Sequence, residues 1–333
     1  MMRYSTASFV VIASFMTSVN TSIAFYARPA HTGSPSVGTL RYRSDPDIVD
    51  ISPDAIVNLD VVDGAADNSP KEYWFDSRIH TLGNTGFMGA FHAAIAPLST
   101  IMIDKIAYDG VNVREMVANR LYNEIGKSQA RVVDFACGVG ISTRALLKAF
   151  PDAEAVIGLD TSREMIAMAR AVSSHVKIMQ DFLAGFMHMT HYLRLSHHFD
   201  VLTEIASAAY SKATGTVEAA FVNANAESTA MPNDSFDLAT IMYCFHEAPA
   251  DGRNRILREA HRVLKDGGTL AVVDISSDYE PNESMLAGEP YALEYLKNIN
   301  KQISKAEGFR NVIHDVIVPG HVSMWRLTCD KES

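Results

Sequence analysis

Cysteine is scarce in this chain: three residues in 333, Cys137, Cys244 and Cys329, odd in number and far apart. That argues against a disulfide framework. Glycine and proline are ordinary, at 19 and 12 residues, which excludes a collagen-like or low-complexity chain. No run of 18 apolar residues occurs, so neither a membrane-spanning helix nor stable membrane insertion of the mature protein is expected. Basic residues are in deficit, 29 against 39 acidic ones for a formal net charge of -10. That balance argues against a nucleic-acid-coating protein. What remains is a globular composition, 47% hydrophobic and 20% charged. At roughly 150 residues per domain the length suggests about two domains. It suffices to bury a full core without disulfide or metal staples.

The N-terminus differs from the rest. Residues 1–43 hold Arg3, Arg28, Arg41 and Arg43 but no Asp or Glu. The apolar stretch from Phe9 to Met16 has the length of a signal-peptide core, and Ser22-Ile23-Ala24 supplies small residues for a cleavage site. Residues 25–43 contain Arg, Ser and Pro without acids, which is transit-peptide composition. The junction at Ala24-Phe25 resembles the bipartite presequence of algae with secondary plastids. The expectation is a signal peptide over 1–24, a transit segment over 25–43 and a plastid destination, with the secretory pathway as the alternative. Residues 44–69, Asp-rich and free of aromatics, read as a solvated linker.

The most informative stretch runs from Ala130 to Thr143. A short run with β-branched residues, Arg131-Val132-Val133-Asp134-Phe135, leads into Ala136-Cys137-Gly138-Val139-Gly140 and then a helical pattern to Phe150. This is strand, tight turn, helix. Gly138 and Gly140 permit left-handed backbone and let a ligand lie against bare peptide. A second strand, Ala155 to Asp160, ends in an acid placed to accept hydrogen bonds from ribose hydroxyls. A nicotinamide dehydrogenase would share that acid but would want a third glycine where Thr143 stands. Asp134 before the loop suits a cationic or zwitterionic ligand better than a pyrophosphate.

With these residues the sequence resembles the class I S-adenosylmethionine-dependent methyltransferases. Further motifs follow in the family's order: Asn225-Ala226-Glu227, then Met231-Pro232-Asn233-Asp234-Ser235-Phe236-Asp237 opening a fourth strand through Tyr243. Next come Cys244-Phe245-His246-Glu247-Ala248-Pro249, a helix from Arg253 to Leu264, a turn at Asp266-Gly267-Gly268, and a fifth strand from Leu270 to Ile275. The Asn-Ala-Glu and His-Glu-x-Pro elements look most similar to the quinone- and tocopherol-methylating branch. The resemblance implies an α/β, Rossmann-like, doubly wound sheet of seven mostly parallel strands. It implies S-adenosylmethionine as cofactor, with Asp134, Ala136, Cys137, Gly138, Gly140, Asp160, Asn225, Ala226, Glu227 and Tyr243 around it. It also implies a helical cap over 70–126 and a methyltransferase domain over 127–330.

Within the cap, Tyr73, Arg78 and His80 are candidates for ligand contact, with Trp74 and Phe75 as packing anchors. An insertion over 180–216 carries His188, His191, His197 and His198, but lacks the spacing of a metal site, and no metal is expected. The loop 276–291 should border the substrate, because ligands sit at the carboxyl ends of the strands. Phe309–Val318 and His321–Cys329 alternate enough to form a final hairpin around Pro319-Gly320. The partner expected is a small-molecule methyl acceptor. His246, Glu247 and Asp274 are the candidate catalytic residues, His246 as a general base near neutral pH. The competing reading makes His246 a structural cap and pairs Glu247 with an arginine such as Arg253. A catalytically silent binding or assembly protein is the alternative for the whole chain.

Overall fold

The computed structural model describes residues 73–75, 84–173 and 218–332. The presequence, the 44–69 linker, Arg78, His80 and the histidine-rich insertion lie outside the described residues.

The strands are β1 (Arg131–Phe135), β2 (Ala155–Asp160), β3 (Ala220–Asn223), β4 (Phe236–Met242), β5 (Leu264–Ile275), β6 (Phe309–Val318) and β7 (Val322–Cys329). They form one seven-stranded sheet in the order β3-β2-β1-β4-β5-β7-β6. The first five are parallel, and β7 runs antiparallel between β5 and β6. β1, β2 and β4 are buried along nearly their whole length because both their faces are covered by helices. Strand order reverses between β1 and β4, which opens a crevice at their carboxyl ends. β5 begins earlier than the expected Leu270. Its pairing reaches back to Leu264 through the glycine turn, with Gly267 at φ 71° and an irregular register between Phe236 and Leu238.

The helices are α1 (Gly86–Ala107), α2 (Val113–Ile125), α3 (Ile141–Ala149), α4 (163–173), α5 (Ala250–Val263), α6 (Glu283–Gly288) and α7 (Ala292–Ser304). α2 starts at Asn112, whose side chain accepts from the Glu115 amide, and stops at Gly126 in left-handed conformation. Its Val113, Val117 and Leu121 pack with Leu146 and Phe150 under one face of the sheet. Ile256, Leu257 and Ala260 of α5 join Tyr295, Ile299 and Ile303 of α7 on the other. Leu293 of α7 faces solvent, while Ala292 and Tyr295 take the buried positions.

Arg253 is fully buried on α5. Its guanidinium donates to Ala248 O at 2.6 Å, Gln302 Oε1 at 2.7 Å and Glu294 Oε2 at 2.5 Å. The ion pair is therefore with Glu294, not Glu247. This knot ties the turn after β4 to α7. Among the described residues no single helix is long and apolar enough to cross a membrane; the two halves of α1, bent by 44°, meet that criterion only together.

Candidate active site

The loop between β1 and α3 holds three left-handed residues within five: Ala136 at φ 53°, Gly138 at φ 55° and Gly140 at φ 77°. A Cβ on Gly138 would meet nothing within 4 Å, so this peptide faces open space. A Cβ on Gly140 would lie 2.5 Å from the Phe221 ring. Asp134 braces the loop from beneath. It is wholly buried and accepts from Ser142 Oγ (2.6 Å), Thr143 Oγ1 (2.7 Å) and Thr240 Oγ1 (2.6 Å). Burial raises its carboxyl against the pull of these hydroxyls. Asp134 thus shapes the loop, with its carboxylate turned inward to three hydroxyls. The side chain of Cys137 packs inward against Ile166, Ala169 and Phe221, and burial pushes its thiol well up. Only its backbone is available at the loop.

Asp160, at the end of β2, is half-buried beside the same loop. Its Oδ2 accepts from the Gly138 amide and its Oδ1 from the Ser162 amide, both at 2.8 Å. Each oxygen keeps a further lone pair. Burial raises its carboxyl to about 6, more than the two amides lower it, with Glu247 adding repulsion. Asn223 donates to the Asp160 and Thr161 carbonyls at 2.9 Å, tying β3 to this corner. Beyond it, Asn225 Oδ1 accepts from the Glu227 amide at 2.9 Å, and Ala226 is buried. Glu227 is held by Arg255 at 2.5 Å. Tyr73 lies near Glu227, stacks edge-on to Tyr291 and fills the space that a side chain at Gly252 would need. α1 closes above: Gly86 N donates to Glu164 at 2.7 Å, and Ala93 packs on Val139 of the loop.

The second focus lies where β4 and β5 end. Asp274, wholly buried, accepts from the Phe245 amide at 2.8 Å, the His246 amide at 3.2 Å and the Ile275 amide at 2.7 Å. His246 Nδ1 donates to its Oδ1 at 2.6 Å. With these four bonds Asp274 positions the imidazole; it does not itself face a substrate. Nε2 of His246 makes no hydrogen bond and points toward Glu247 Oε1, 3.8 Å away. Burial alone would lower the imidazole, but Asp274, Glu247 and Glu289 outweigh it and raise its pKa to about 9. At neutral pH the ring therefore rests as the imidazolium, and it can serve as the base of the sequence reading only after giving up its Nε2 proton. The three sequence-chosen residues do converge here. Glu289, buried after α6, was missed, although it falls in the loop expected to border the substrate.

Tyr243 follows β4 at φ 59°, half-buried, with the Arg114 guanidinium 4.3 Å over its ring. Burial pushes its hydroxyl well up. Arg114 was also missed, because its α2 position reads as an ordinary charged helix face.

A profile of the methyltransferase domain matches residues 111–325. Among curated relatives, the ubiquinone/menaquinone biosynthesis C-methyltransferase of Vibrio parahaemolyticus is 31% identical over 98 residues, 29% of this chain and 36% of that protein. That of Cronobacter sakazakii is 33% identical over 95 residues, 28% of this chain and 36% of that protein. The chain thus spans just over a third of the length of these relatives. Among solved structures, a SAM-dependent methyltransferase from Aquifex aeolicus aligns with TM-score 0.38 at 18% identity, covering 64% of this chain and 89% of that one. The Haemonchus contortus phosphoethanolamine N-methyltransferase 2 in complex with S-adenosyl-L-methionine aligns with TM-score 0.42 at 14% identity, covering 64% of this chain and 52% of that one.

Proposed function

The chain belongs to the methyltransferase-domain family; from that premise we propose that it is an S-adenosylmethionine-dependent methyltransferase that methylates a small molecule held at the His246–Glu247 corner. The described residues fit the cofactor. Gly138 leaves bare peptide before open space, and Asp160 keeps acceptor capacity for ribose hydroxyls. The Asn225–Glu227 turn, which resembles the family's adenine-side turn, would face the adenine. When bound, S-adenosylmethionine supplies an electrophilic methyl carbon, whose bond to sulfur breaks with the electron pair staying on sulfur as the acceptor bonds to it.

The chain's own part is alignment and activation. The observation that carries the reading is the 2.6 Å bond from His246 Nδ1 to Asp274, which aims Nε2 at the space beside Glu247. A group so held activates or orients an acceptor. The relatives' role in quinone biosynthesis supports a hydroxylated aromatic acceptor. Incubating the protein with methyl-labelled S-adenosylmethionine and a panel of quinols, phenols, thiols and amines tests this. Label in a quinol or phenol supports it, whereas label confined to macromolecules would sink it.

A pH dependence follows from Asp160. Its carboxyl titrates at about 6 in the folded protein, above its ordinary value, and only the ionised form offers both oxygens as acceptors. Cofactor affinity should be full above that pH and fall as pH drops through it, by up to about tenfold per unit. Asp160→Asn should weaken binding by roughly 1–3 kcal/mol and flatten the profile. Calorimetry across the range checks both.

We also propose that the enzyme works in a plastid, on the strength of the acid-free N-terminal segment and its Ala24-Phe25 junction. A fluorescent protein fused behind residues 1–43 should enter the plastid of a secondary-plastid alga, and Phe25→Ala should leave it short of the stroma. Secretion of the unmutated fusion would refute the assignment.

A further inference from the structure

We propose that His246, Glu247 and Glu289 form a binding site for one divalent transition-metal ion, which holds an oxygen of the methyl acceptor. The inference rests on the methyl-transfer reading for its purpose, but not for its geometry. One ligand atom from each residue lies within 4.8 Å of the others, and His246 Nε2 is 3.8 Å from Glu247 Oε1. A modest contraction brings all three within bonding distance of one ion.

Two further observations point to a cation. The first is the state of Nε2. His246 is more than nine-tenths buried, and its Nε2 faces Glu247 Oε1 at 3.8 Å without a hydrogen bond, so a bound ion would take the place of the proton on this nitrogen. The second lies behind the ring. Nδ1 donates to the buried carboxylate of Asp274, itself locked by three backbone amides. Metal-bound histidines are commonly held this way: the carboxylate fixes the tautomer and orientation and makes the other nitrogen a better ligand.

The charges agree. Glu247, Glu289 and Asp274 surround one imidazole, and the nearest buried guanidinium, that of Arg253, is committed to Glu294, Gln302 and Ala248 O. One imidazole with two carboxylates suits Mn²⁺, Co²⁺ or Zn²⁺ better than a hard ion that prefers oxygen alone. Three protein ligands leave a coordination position open, as catalytic sites do. That position is where a phenolic or enolic oxygen would bind and lose its proton to water more readily. The acceptor class is thereby narrowed to molecules presenting such an oxygen. The site draws on none of the residues of the histidine-rich insertion and was not foreseen from the sequence.

The full chain, stripped with a chelator and dialysed, is titrated with Co²⁺ by calorimetry and visible absorption. One saturable equivalent with d–d bands, displaced by Zn²⁺, is expected. Glu289→Gln and His246→Ala should each weaken it by more than about tenfold, the loss that removing even a supporting residue causes. Glu283→Gln, an acid outside the cluster, should bind Co²⁺ as the wild type does. Absence of saturable binding, or binding indifferent to both cluster variants, overturns the proposal. S-adenosylmethionine binding is measured on the same metal-free protein. Cofactor binding without Co²⁺ binding defeats the cation site alone, whereas Co²⁺ binding without cofactor binding defeats the methyl-transfer reading and leaves the site.

Discussion

His246→Ala should lower turnover by roughly 10²–10⁴ while the dissociation constant for S-adenosylmethionine barely changes. The expectation comes from position. The proposed cofactor residues stand on the β1 loop, the end of β2 and the turn after β3, whereas His246 stands after β4, on a 3₁₀ turn held by Asp274. Its loss removes the group proposed to meet the acceptor without touching Asp160 or the glycine loop. If the ring were only a cap for this turn, the variant would lose about 1 kcal/mol of stability and keep most of its turnover per folded molecule. Single-turnover rates, cofactor calorimetry and denaturant unfolding on the same variant separate the two outcomes. Normal turnover would move the search to Tyr73 and the loop carrying Glu289.

How far this corner was legible depends on the kind of signal each residue leaves. Asp160 and the two loop glycines were readable because a turn that approaches a ligand needs those residue types at that spacing. β1, β2, β4 and the final hairpin were readable because buried strands write unbroken or alternating apolar runs. His246 and Asp274 could be named one at a time, but not as a bonded pair, because 28 positions and a whole helix separate them. The surroundings of Asp134 were hidden for the same reason: Thr240, which donates to this acid, stands on another strand. Leu293 shows the limit of periodicity. Leu293, Leu296 and Ile299 fit one helical stripe, yet the sheet chooses Ala292, Tyr295, Ile299 and Ile303. The Tyr295 hydroxyl decides it by reaching the Ile275 carbonyl at 2.8 Å. Glu289 and Arg114 left no pattern, since one charge on a loop or helix reads as a solvated surface.

Gly138→Val should abolish cofactor binding while the protein still unfolds cooperatively, and Gly140→Val should damage the fold as well. The two glycines share a loop and a left-handed backbone, at φ 55° and φ 77°, so each substitution carries a strain of about 1–2 kcal/mol. They differ in what surrounds them. A side chain at Gly138 enters open space, so the folded protein accommodates it, but that space is where the cofactor is proposed to lie against the peptide. The amide of Gly138 also donates to Asp160 Oδ2, so a shift of this peptide would disturb the ribose-facing carboxylate too. A side chain at Gly140 would overlap the Phe221 ring at 2.5 Å and press on Arg144, so the contact between the loop and β3 would have to open. Overpacking of this kind typically costs roughly 1–3 kcal/mol beyond the backbone strain. Calorimetry should therefore detect no cofactor binding in either variant, and denaturation midpoints should fall further for Gly140→Val than for Gly138→Val. Wild-type affinity in Gly138→Val would show that the cofactor does not lie against this loop.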